Sequence, residues 1–154
     1  MQTSTPPTLT LGPDQGELLQ VIEDSLRVLI TGEVSDNAYK MFELTGPQAS
    51  GPPPHYHPWS ESYFVLEGEV DILVGSETVR ATPGYSIAIP GGTVHTYRIA
   101  SETAKFLVVA STVAASAFFY DLHQALMAGN FTLEDVMAIA ARHQVMLAGS
   151  AESA

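Results

Sequence analysis

Cysteine is absent from the 154 residues, which excludes disulfides, a thiolate metal site and a cysteine nucleophile. Cations are nearly as scarce: six Lys and Arg stand against seventeen Asp and Glu, for a formal charge of -11. A surface of that sign repels both nucleic acid and anionic membrane, and it keeps a protein soluble. No apolar run reaches the ~18 residues of a membrane span. Residues 1–16, MQTSTPPTLTLGPDQG, lack the basic and apolar regions of a secretory leader. Expected partners therefore exclude nucleic acid and membrane. The missing cysteines fit a reducing interior, and the expected location is cytoplasmic.

What is present is one domain's worth of chain with an ordinary apolar content, long enough to bury about 70% of its unfolded surface in a single core. Residues 1–16, rich in Thr, Pro, Gly and Gln, read as a tail. Short β-rich segments then follow one another across residues 17–111, divided by turn residues: SLRVLIT from Ser25, AYKMFELT from Ala38, SYFVL from Ser62, EVDILV from Glu69, ETVRA from Glu77 and three more between Tyr85 and Ser111. Even spacing of this kind predicts a β-sandwich or barrel. In the first segment Leu26, Val28 and Ile30 share one face; Arg27, on the other, points either to solvent or into a cavity. From residue 112 to residue 148 the spacing turns helical. Ala115, Phe118, Phe119, Leu122, Leu126 and Met127 mark a first helix, and a second starts at Thr132 as N-cap with Asp135 at N3. Residues 149–154 read as a second tail. His123 and His143, on the helices, lack a partner at i+4 and read as surface or satisfied histidines.

The chemistry concentrates in two stretches, GPPPHYHPWSESYFVLEG from Gly51 and GYSIAIPGGTVH from Gly84. His55 and His57, two apart, leave the same face of a strand, and Glu61 follows four residues later. His95 comes just after the Pro90-Gly91-Gly92 turn. If the two stretches are neighbours, three imidazoles and one carboxylate converge, a donor set that suits Fe, Mn, Co, Ni, Cu or Zn.

Gly51…His55-x-His57-x3-Glu61-x6-Gly68, with Gly84-x5-Pro90-x-Gly92-x2-His95, resembles the paired motifs of the cupin superfamily. It departs in two places: Gly51 stands four rather than six positions before His55, and Ile99 replaces a terminal Asn. The resemblance implies a mainly β fold, the double-stranded β-helix or jelly-roll barrel, here with two C-terminal α-helices similar to those of bacterial quercetin 2,3-dioxygenase-like monocupins. It makes His55, His57, Glu61 and His95 ligands of one divalent transition metal with open coordination positions, and gives Glu61 a second role as base. It also implies a homodimer.

Alternation along the strands turns Tyr63 and Val65 inward with Glu61, and Tyr97 with His95; Arg98 faces away. Tyr63, Tyr97 and Phe106 are the expected substrate contacts, although an aromatic residue in a small barrel more often serves packing. Trp59 either roofs the cavity mouth or packs on neighbouring strands. Phe118, Phe119 and Tyr120 either close the mouth as a lid, join the core or meet a second subunit. The function expected from the resemblance is a metal-dependent dioxygenase that takes O2 and a small enolizable or hydroxylated aromatic substrate. The alternative is a non-oxidative isomerase, hydrolase or ligand-binding protein using the same metal, and inward-facing Arg, Lys or Asn would point to it.

Overall fold

Apolar side chains at every second position give this chain a run of strands with one buried and one exposed face. The computed structural model describes residues 9–111, 113–129 and 131–148; residues 1–8 of the expected tail at 1–16, the expected tail at 149–154 and the Ala115 side chain lie outside the description. Ten strands come first: β1 (Leu18–Val21), β2 (Asp24–Ile30), β3 (Lys40–Pro47), β4 (His55–Tyr56), β5 (Glu61–Glu67), β6 (Val70–Val74), β7 (Glu77–Ala81), β8 (Ser86–Ile89), β9 (His95–Ile99) and β10 (Thr103–Ala110). Helices α1 (Val113–Met127) and α2 (Leu133–Arg142) and a last strand β11 (Met146–Leu147) follow. The strands form two antiparallel sheets, ordered β1-β2-β3-β10-β5-β8 and β11-β4-β9-β6-β7. The fold is mainly β with two helices after the tenth strand, as the sequence predicts.

The faces agree with the alternation. In β2 the residues Asp24, Leu26 and Val28 are buried while Arg27 stays on the outside. There Arg27 pairs with Glu43, 3.1 Å away, and donates to the Gln15 carbonyl, 2.9 Å, so it points neither into a cavity nor freely into solvent. Phe42, Val65, Val70, Ile72, Ile99 and Phe106 meet between the sheets as a sealed core. Helix α2 opens with the expected capping box: Thr132 Oγ1 accepts from the Asp135 amide, 3.2 Å, and Asp135 Oδ2 from the Thr132 amide, 2.8 Å. In α1, Leu122 is buried, whereas Met127 in its last turn is exposed. No helix among the described residues is long and apolar enough to cross a membrane.

Two features were not legible as periodicity. Strand β1 has only Leu19 buried, and β4 and β11 are two residues each, shorter than any repeat. Yet β11 pairs with β4, setting Met146 against Tyr56 and Leu147 against His55. The chain after the helices thus returns to the sheet that carries the histidines, and the Ala148 amide donates to the Pro54 carbonyl at 2.9 Å.

The loop before β4 is tied to β9 by hydrogen bonds between Ala49 and Ile99 and between Ile99 and Ser50. Gly51 lies there at φ 149°, and a Cβ on it would overlap the Tyr97 carbonyl. Backbone cannot yield as a flexible side chain does. Gly51→Ala is expected to cost on the order of 3 kcal/mol, a fall of roughly 10 °C in Tm, read by thermal unfolding; an unchanged Tm would mean that the loop can leave β9 freely.

Candidate metal centre

Strand pairing does what the two stretches require. β4 lies beside β9 with His55 opposite His95, and the turn before β9 is held against His57, whose carbonyl accepts from the Gly92 amide at 2.8 Å. The three imidazoles close up, with ring centroids 4.3 Å apart for His55 and His95, 4.7 Å for His57 and His95 and 5.7 Å for His55 and His57. One nitrogen from each falls within 4.8 Å of the others. Glu61 enters from the opposite sheet at the start of β5, placing Oε2 3.2 Å from His95 Nε2 and 3.7 Å from His57 Nε2.

Each ring is oriented the same way. Nδ1 of His55 meets the Pro53 carbonyl at 2.9 Å, that of His57 the Trp59 carbonyl at 2.9 Å, and that of His95 the Thr93 carbonyl at 2.8 Å. A carbonyl can only accept, so Nδ1 carries the hydrogen and in a neutral ring Nε2 keeps its lone pair. That arrangement positions and polarises metal-binding imidazoles. His95 Nε2, buried, has no hydrogen bond: with its lone pair on that nitrogen the ring cannot donate to the Glu61 oxygen 3.2 Å away. An orphaned nitrogen beside two oriented imidazoles and a carboxylate fits a divalent transition metal, with His55, His57 and His95 as the nitrogen donors.

The electrostatics of these side chains agree. Burial, together with the neighbouring His95, pushes His55 down to about 4, which favours the neutral ring. Burial would raise Glu61, but the imidazoles of His57 and His95 outweigh it and hold the carboxyl well below its ordinary range. Burial likewise opposes the charged form of His95, yet Glu61 and the Thr93 carbonyl leave it raised.

Beside these residues is a cavity of about 400 Å³. Tyr63 and Tyr97 line it and are turned inward as alternation predicts; Tyr63 donates to Glu61 Oε2 at 3.0 Å. Phe106 is not among the described residues lining it. It sits with its ring centroid 5.1 Å from each tyrosine ring, edge-on, and supports them. Trp59 lines the cavity and stacks on His57 at 4.2 Å and 10°, in a buried cluster with Ala110, Ala140 and Val145. Phe118 joins that cluster, while Phe119 packs edge-on against Phe42 in the core, and both reach the cavity. Tyr120 instead donates to Glu17 at 2.5 Å. His123 accepts from the Gln20 amide and His143 bonds Asp121, so both are satisfied away from the site.

Sequence reasoning missed Asp24 and Ser50, buried polar residues of this cavity. Asp24 carried a readable signal, since it shares the inward phase of Leu26 and Val28. Ser50 lies in a loop without periodicity and carried none.

A two-sheet antiparallel barrel with three oriented histidines beside its cavity defines a β-barrel protein with a candidate metal centre. Residues 41–110 match the cupin domain family model, so that this stretch, with its two sheets and paired motifs, is a cupin domain. It is 25% identical over 96 residues to quercetin 2,3-dioxygenase of Bacillus subtilis, 62% of this chain and 28% of that one. It spans between 28% and 52% of the length of the curated relatives it matches. Among solved structures, the polyketide cyclase RemF of Streptomyces resistomycificus superposes with TM-score 0.60 and 26% identity, over 67% of this chain and 78% of that one. An RmlC-like cupin of Shewanella frigidimarina reaches TM-score 0.61 at 16% identity, over 68% and 91%, a likeness of fold alone.

Proposed function

We propose that this cupin is a metal-dependent dioxygenase acting on a small enolizable or hydroxylated aromatic compound. The observation that carries the reading is the pairing of three Nε2-presenting histidines with an apolar cavity that none of the six Lys and Arg side chains lines. A site for sugar acids or other anions needs such cations. Leu26, Leu44, Val108, Phe118, Phe119 and Leu122 supply the walls instead, and about 400 Å³ suits a compound of a few fused or linked rings. The likeness to quercetin 2,3-dioxygenase supports the oxidative half of the proposal.

His55, His57 and His95, with Glu61, would hold the metal, which when bound supplies Lewis acidity toward a substrate oxygen and, if redox-active, a route for O2. The chain's own residues do the rest. The aromatic walls fix the ring plane and exclude water. Glu61, kept ionised, accepts the proton of a substrate hydroxyl at Oε2, and Tyr63 steadies that oxygen through its hydrogen bond.

A second reading has its own observation: the polyketide cyclase, 26% identical, superposes over most of its length. It keeps the metal and the aromatic substrate but consumes no oxygen. An oxygen electrode separates the two. Purified protein replete with Fe, Mn, Co, Ni or Cu is expected to take up about one O2 per flavonol or diphenol consumed. Substrate loss without oxygen uptake for every metal would transfer the assignment to the cyclase-type reaction.

A further inference from the structure

The four buried side-chain polar atoms left without a hydrogen bond among the described residues are His95 Nε2, Trp59 Nε1, Asp24 Oδ1 and Ser50 Oγ. The first has its explanation in the metal centre. Asp24 and Ser50 do not belong to that centre, yet both line the same cavity, at 4% and 3% exposure. They sit together: a Cβ on Gly46 would collide with Asp24 Oδ1 and lie 2.8 Å from Ser50 Oγ. Glycine at that position is what lets the two oxygens approach the backbone.

The other oxygen of Asp24 is already used, because the Tyr97 hydroxyl donates to Oδ2. Tyr97 meets Tyr63 edge-on at 6.2 Å, and Tyr63 bonds Glu61. A pair of tyrosine rings therefore stands between the metal centre and Asp24. The turn that delivers Asp24 is strained, since Ile22, a β-branched residue lining the cavity, takes φ 58°. An unpartnered buried oxygen costs about 1–3 kcal/mol, and here two lie beside the same backbone glycine, on side chains that line one cavity.

We infer that Asp24 and Ser50 form a second polar subsite that receives a hydroxyl group of the substrate, remote from the hydroxyl held at the histidines. The inference rests on reading the cavity as a site for hydroxylated aromatics. A carboxylate oxygen only accepts, whereas a serine hydroxyl can also donate. One incoming hydroxyl satisfies both, donating to Asp24 Oδ1 and accepting from Ser50 Oγ. An ammonium would bring three donors to two oxygens among apolar walls, and a methyl ether would leave Oδ1 unpaired. The substrate class narrows to aromatics with hydroxyls at both ends.

The test compares 2,6-dihydroxynaphthalene with 6-methoxy-2-naphthol, which share a hydroxyl for the histidine end and differ only at the far one. Calorimetric titration of the metal-loaded chain without oxygen is expected to give at least ~10-fold tighter binding of the diol, the range for a hydrogen bond to a charged group. Asp24→Asn, which turns an acceptor toward a donor, and Ser50→Ala should each bring the ratio within about twofold of unity, with metal content retained. A ratio unchanged in both variants overturns the subsite. A crystal structure of the wild-type protein reads it independently of any aromatic. A ligand hydroxyl or ordered water bridging Asp24 Oδ1 and Ser50 Oγ supports it, and a direct Asp24–Ser50 hydrogen bond with nothing between them overturns it. If neither naphthol binds, the aromatic reading of the cavity falls and the crystal structure alone decides the subsite. Absence of oxygen uptake bears on the dioxygenase reading only and leaves the naphthol ratio untouched.

Discussion

Replacing His55 and His57 together by alanine is expected to lower bound metal from about one equivalent to less than a tenth, with a fall in affinity above ~10³-fold. Loss of an outer hydrogen bond to a ligand costs roughly 10–100-fold, and here two of the three nitrogen donors themselves disappear. The barrel should survive. β4, which carries His55, is only two residues long, and the sealed core of Phe42, Val65, Ile72, Ile99 and Phe106 lies elsewhere. His57 is buried against Trp59, so its removal leaves a hole worth about 1–3 kcal/mol, visible as a lower Tm but not as lost β-structure. Elemental analysis beside circular dichroism reads both quantities. Metal content at the wild-type level in a folded double variant would remove these histidines from the centre.

The candidate ligands were legible because their signal is local: two histidines at the strand period, a carboxylate four residues on, and a third histidine after a Gly-rich turn. What orients them was not. The acceptors behind His55, His57 and His95 are main-chain carbonyls of Pro53, Trp59 and Thr93, and every residue has a carbonyl. Only the path of the loop makes these three point at imidazoles. The same limit hid β11: its pairing with Tyr56 and His55 depends on where α2 ends in space. Two residues cannot announce a strand by pattern. Alternation correctly turned Tyr63 and Tyr97 inward, but it could not separate a wall from a foundation. Phe106 has the same inward phase, and it lies behind both tyrosines rather than at the cavity surface. Asp24 is the reverse case: its phase was readable, but the segment read from Ser25 stopped one residue short of it.

Glu61→Gln is the substitution that separates holding a metal from using it. The amide preserves the size of the side chain and one carbonyl oxygen while removing the charge and the basic oxygen. With three histidines in place, metal retention is expected to weaken by no more than ~100-fold, and metal supplied in excess restores occupancy. Turnover at full occupancy should nevertheless fall by about 10²–10⁴, the range for loss of a positioned general base. The wild-type geometry explains why the carboxylate can act. His57 and His95 hold it ionised against the effect of burial, and Oε2 faces both imidazoles and the Tyr63 hydroxyl. Tyr63→Phe gives the complementary outcome. It removes the donor to Oε2, so that the oxygen becomes a better base but a less fixed one, and the expected loss of turnover is smaller, within about tenfold. Tyr63 itself offers no alternative base, since burial and the neighbouring Glu61 charge push its phenol well above the ordinary value. Oxygen uptake by both variants, with metal content measured on the same samples, decides the matter. Wild-type turnover in metal-replete Glu61→Gln would make Glu61 a structural neighbour of the histidines, and the proton of the substrate hydroxyl would then have to leave to solvent.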